Sequence, residues 1–113
     1  MSNSRLGVKM GLAEKTIYDK VEIVGDEGWT IQWRRNNQVL KDGTVIASNY
    51  HRGLCEPVNS SYDVENKKWV YTEHDMSAEP FSDAKIKTIA TALWTDDVKA
   101  AFKKWVEDNR TPK

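Results

Sequence analysis

His51 and His74, with Glu73 and Asp75 flanking the second, are the side chains here best suited to hold a metal or move a proton. Imidazole and carboxylate groups make up non-haem metal sites and general bases. To work together, these four would have to be brought from the end of one strand and the far side of a hairpin, and their spacing fits no metal or catalytic motif. We therefore expect structural or solvated roles for them, and no catalytic, cofactor-binding or metal-ligating residue. Cys55 follows His51 by four positions, but in a region without helical periodicity, and nothing marks an orienting third group or an oxyanion hole. As the single cysteine it allows neither an intrachain disulfide nor a cysteine-based zinc site within one chain. The glycines are scattered among turns, so no phosphate-cradling loop is expected.

Trp29, Trp33, Arg34 and Arg35 form the remaining chemical constellation, because aromatic platforms beside guanidinium groups hold single-stranded nucleic acid. Strand alternation puts Trp29, Ile31, Trp33 and Arg35 on one face and Thr30, Gln32 and Arg34 on the other. An apolar face of that kind is core more often than stacking surface. With 17 basic and 17 acidic residues the chain has no whole-molecule field to draw in a polyanion. Nucleic-acid binding ranks third among the readings.

The elements that carry these residues are legible from period and punctuation. Within 16–52, Ile17, Val21 and Ile23 alternate on one strand and Trp29, Ile31 and Trp33 on the next. Gly25-Asp26-Glu27-Gly28 separates these two runs, and Lys41-Asp42-Gly43-Thr44 separates the second from Val45-Ile46-Ala47; both are hairpin signals. Tyr62, Val64, Trp69 and Tyr71 flank Glu65-Asn66-Lys67-Lys68, which predicts an extra hairpin at about 60–72. Ser82 is the expected N-cap of a first helix, about 83–94, whose stripe is Ile86, Ile89, Ala90 and Leu93. Thr95 caps a second, about 96–108, with Val98, Ala101, Phe102, Trp105 and Val106 on its apolar face. The class expected is α+β, an antiparallel meander of three to five strands covered by two C-terminal helices, with 16–113 as one domain.

Leu6, Val8, Met10 and Leu12 alternate with Gly7, Lys9 and Gly11, a pattern that needs a surface to lie on. It fits either a first strand on the edge of the same sheet or an arm docked on a neighbouring subunit, and we take 1–15 as an extended arm. Charge is uneven along the chain: 1–55 hold eight basic against six acidic residues, and 56–81 hold two against six. Such polarity bears on a protein partner more than on a polyanion. No segment approaches a membrane span or a signal peptide's apolar core, so a cytoplasmic origin is expected.

The run Ile17-Tyr18-Asp19-Lys20-Val21-Glu22-Ile23, then Trp29-Thr30-Ile31-Gln32-Trp33-Arg34, then Lys41-Asp42-Gly43-Thr44-Val45-Ile46-Ala47 and the pair His51-Arg52 resembles a group of small proteins encoded among bacteriophage virion genes. In these, a three-stranded meander precedes a short helical tail, to which Ala92-Leu93-Trp94-Thr95-Asp96-Asp97-Val98-Lys99-Ala100-Ala101-Phe102 is similar. The matches cover roughly 16–54 and 84–106; the hairpin at 62–71 and a longer N-terminal arm are additions that could serve as contact surfaces. The resemblance implies a non-enzymatic structural role in a virion, as a tail or capsid accessory protein made in the host cytoplasm. Its partners would be other virion proteins and further copies of itself; no cofactor or membrane is expected, and nucleic acid is the least favoured partner. The contact residues expected are Leu6, Val8, Met10, Leu12, Tyr62, Trp69 and Tyr71. The second reading is a small phage adaptor or inhibitor of a host protein.

Overall fold

A computed structural model describes residues 11–111 of the chain. The fold is α+β. Three antiparallel strands, β1 (Leu12–Val24), β2 (Thr30–Lys41) and β3 (Thr44–Cys55), form one sheet in the order β1-β2-β3. A second sheet pairs β4 (Asn59–Asp63) with β5 (Lys68–Thr72), and helices α1 (Ala84–Leu93) and α2 (Asp96–Asn109) close the chain. Of the segment expected as an arm, Leu6, Val8 and Met10 lie outside the described residues, whereas Leu12 already belongs to β1.

Turn chemistry fixes the meander. Asp42 and Gly43 have φ of 53° and 83°, so the two-residue connection of β2 to β3 needs positive φ twice, which an Asp-Gly pair supplies at little steric cost. The first turn closes with the Gly28 N–H donating to the Gly25 carbonyl at 3.1 Å. In the third, the Asp63 carboxylate accepts from the N–H groups of Glu65 and Asn66 and from the Asn66 amide, at 3.0, 3.2 and 2.7 Å.

Over the stretch expected as one domain, the chain gathers into two compact units. One holds 11–21 and 32–53, the other 22–31 and 54–111. In the first unit Trp33 is the packed centre: it is buried, meets Tyr18 edge-on at 5.7 Å and lies beside His51 at 5.6 Å. Gly53 makes room for it, since a Cβ there would stand 2.3 Å from Trp33 Cζ2. Asp19 accepts two 2.9 Å bonds from Arg34, whose guanidinium lies over the Tyr50 ring at 4.5 Å. Residues 44–52 of β3 are exposed throughout.

The second unit holds the helical core. Phe102, Val106 and Val58 are buried together, with Trp29, Trp69, Tyr71 and Trp105 packed around them. Trp29 meets Phe102 edge-on at 5.8 Å, and its carbonyl accepts from the Trp94 indole N–H at 2.6 Å. The helix stripes place Ile86, Ala90, Phe102 and Val106 inside as expected, while Ala101 is exposed. Thr95 caps α2 through its hydroxyl, which accepts from the Val98 N–H at 3.2 Å. The cap of α1 is Asp83 and not Ser82: its carboxylate accepts from the Ile86 N–H at 3.1 Å, and a negative charge suits the positive end of the helix dipole.

On β1 the apolar positions are only partly covered: Ile17 and Val21 are half-buried and Ile23 is exposed.

Candidate functional site

The four groups that could have formed a metal or general-base site each have their own local partners. His74 stacks on Trp94 at 5.1 Å and tilts against Phe81, and its Nε2 lies 2.5 Å from the Glu56 carbonyl, so it donates there. Glu73 takes an ion pair from Lys99, which holds its carboxyl below the usual range. Asp75 accepts from the backbone N–H and hydroxyl of Ser77, lowering its pKa for the same kind of reason. His51 packs against Trp33, and Cys55 is a buried thiol. Among the described residues no group of three His, Cys, Asp or Glu side chains is placed to hold a metal ion.

The tryptophans of β2 and its approach are packing residues. Trp33 is buried over Gly53 and so presents no open face to a base, and Trp29 is half-buried with its ring perpendicular to that of Phe102. Among the described residues no helix is long and apolar enough to cross a membrane.

Tyr62, Trp69 and Tyr71 share one face of the hairpin, because Trp69 and Tyr71 are two apart on β5 and Tyr62 is the cross-strand partner of Trp69. Register pairs Tyr62 with Trp69, and their rings meet edge-on at 5.4 Å. Together with Arg110 and Thr111 they line an open groove of about 510 Å³. Arg110 is held in place there: it pairs with the Glu56 carboxylate, donates to Ser60 Oγ at 3.1 Å and lies over the rings of Phe102 and Trp105. Tyr71 faces α2, its hydroxyl 2.9 Å from the Glu107 carboxylate and 3.1 Å from the Lys103 carbonyl.

Desolvation, reinforced by the bond to Glu107, pushes the Tyr71 hydroxyl up from 10.0 to about 12. The neutral form is favoured in the folded chain, so this contribution to stability is complete below pH 10 and is lost as pH rises from 10 to about 12. Tyr71→Phe is therefore expected to flatten the alkaline fall in unfolding free energy across that window, read by denaturant titration at stepped pH. Parallel curves for the two proteins would show that the hydroxyl carries no such linkage.

The surface that the sequence reading missed is on β3. Val45, Ile46 and Tyr50 are 44%, 56% and 53% exposed, and strand alternation puts Val45 on one face and Ile46 and Tyr50 on the other. Leu12, expected as a contact residue, is 62% exposed on β1. A signal was present in the sequence, since adjacent apolar residues break the alternation of a half-buried strand. These groups perform no chemistry; they offer a partner apolar area and, along β3, an outer strand edge that no described strand covers. Compared with known proteins, the chain matches no protein-family model and no solved structure.

Proposed function

We propose that the chain is a non-enzymatic structural component of a bacteriophage virion, a tail or capsid accessory protein that works through protein–protein contacts. The observation that carries this reading is β3: residues 44–52 are exposed on both faces, with Val45, Ile46 and Tyr50 uncovered. A lone domain gains nothing from a long, apolar, unprotected edge and risks aggregation by it; an assembling subunit gives it a partner. The resemblance of 16–54 and 84–106 to small phage virion proteins supplies the setting, with the host cytoplasm as the compartment before assembly. Other virion proteins and further copies of the chain are the partners this reading names.

Mass spectrometry of purified particles tests it. The protein is expected at a fixed ratio to the major virion proteins through successive purification steps. Its absence from particles, with recovery on a host protein instead, would replace the virion role with that of an adaptor or inhibitor.

A further inference from the structure

The two strands that flank β2 differ in how they are protected. β1 carries Glu14, Lys15, Asp19, Lys20 and Glu22, charges that discourage another strand from adding to it. Along β3, Thr44-Val45-Ile46-Ala47-Ser48-Asn49-Tyr50-His51 holds no Lys, Arg, Asp, Glu or Pro, and Arg52 is the first charge. Residues 44–52 are all exposed. This segment is also symmetric in character about Ser48: Ile46 and Tyr50, 56% and 53% exposed, lie two positions to either side of it and on the same face. Tyr50 is already held, since the Arg34 guanidinium lies over its ring at 4.5 Å and is itself bound by Asp19.

From this symmetry we propose that the occupant of the β3 edge is β3 of a second copy of this chain, paired antiparallel about a two-fold axis at Ser48. In an antiparallel pair, opposed residues both turn their N–H and C=O groups toward the neighbour or both away. Ser48 opposite itself meets that condition. The register then sets Ile46 of each copy against Tyr50 of the other, Ala47 against Asn49, Val45 against His51 and Thr44 against Arg52. An aliphatic–aromatic pair on each side of the axis supplies the apolar contact, and the two Arg52 side chains lie at opposite ends, so like charges do not face each other. A two-fold one residue to either side would set Tyr50 against Thr44 or Ser48 and lose both pairs, which fixes the register. Because both copies offer the same surface, the contact closes as a dimer, joining the three strands of each copy into one sheet, and propagates no further. It uses only 44–52, which belong to one compact unit. The inference names the partner and the geometry of the contact that the assembly role above assigns to β3, and rests on that role only for its setting.

Cysteine crosslinking and sedimentation velocity on the full chain test it. Ser48→Cys stands on the axis, where opposed Cβ atoms are about 4.5–5.5 Å apart, and is expected to give a covalent dimer on oxidation with diamide. Thr44→Cys, also exposed, stands about 27 Å from its own copy at about 3.4 Å per residue. It is expected to crosslink no faster than the wild type, whose one thiol, Cys55, is buried. In sedimentation the wild type should pass from monomer to dimer as concentration rises and stop there. Ile46→Glu removes both Ile46–Tyr50 contacts and should weaken the dimer by about tenfold or more, with unchanged circular dichroism because the side chain is exposed in the monomer.

A wild-type protein that stays monomeric at every concentration overturns the proposal, as does growth beyond a dimer, a dimer indifferent to Ile46→Glu, or equal crosslinking of Ser48→Cys and Thr44→Cys. Should Ile46→Glu misfold, the crosslinking contrast decides alone. Particle composition separates this test from the virion reading: a protein found in particles yet monomeric alone keeps its virion role and loses only self-pairing, and a dimer absent from particles keeps the pairing and loses the virion role.

Discussion

Phe102→Ala is expected to cost about 3–5 kcal/mol of unfolding free energy, the range for removing a large aromatic side chain from a packed core. The ring is fully buried, takes the edge of Trp29, stacks near Trp105 at 6.3 Å and lies under the Arg110 guanidinium. Removing it leaves a cavity between α2 and the 22–31 segment, and leaves Arg110 over empty space. Ala101, one position earlier and exposed, is the internal control: Ala101→Ser should change stability by less than about 0.5 kcal/mol. Urea denaturation of both variants checks the pair. Equal small losses would mean that the helix face has been placed wrongly.

Gly53→Ala is the second substitution with a large expected effect, although it adds only a methyl group. That methyl would fall 2.3 Å from Cζ2, 2.5 Å from Cε2 and 2.8 Å from Nε1 of Trp33, so the indole must leave its place. The cost of such overpacking is about 1–3 kcal/mol. Displacement should also shift tryptophan emission to the red as the ring gains solvent. A double-mutant cycle isolates the cause: in a Trp33→Leu background the same Gly53→Ala change should lose most of its effect. An undiminished cost there would assign the penalty to the backbone and not to the ring.

Much of the local structure could be read from residue order, because local chemistry decides it. Asp42-Gly43 dictates a tight turn wherever it sits between strands, and Thr95 followed by Asp96 and Asp97 starts a helix by satisfying N–H groups that have no carbonyl to meet. The stripe of Ile86, Ala90, Phe102 and Val106 follows from helical period alone. What escaped depends on contacts distant in sequence. Ile23 has the alternation of a core residue, yet among the described residues it stays 52% exposed. Trp94, beyond the end of α1, is buried because its N–H finds the Trp29 carbonyl, a partner that no window of residues reveals.

The candidate surface was legible in part for the same reason. Tyr62, Trp69 and Tyr71 are conspicuous as aromatics in a polar stretch, but pairing register is what puts them on one face, and the position of α2 is what gives Tyr71 a bond while Tyr62 and Trp69 line an open groove. Along the chain the charge imbalance looks mild. It sharpens only once Glu22, Asp26 and Glu27 are counted with the unit of 22–31 and 54–111, whose described residues carry eight basic and fourteen acidic side chains.

Neither compact unit is a continuous stretch of chain: the backbone enters one, crosses to the other for 22–31, returns for 32–53 and crosses again. A proteolytic fragment or single truncation that keeps one unit whole therefore always carries part of the other with it. Trp29 must wait for Trp94, 65 positions later, before its carbonyl is satisfied, and the loop between them holds most of the meander. Closing so long a loop costs chain entropy before any contact repays it, which raises the mean sequence separation of contacts and slows folding relative to a helical bundle of this size.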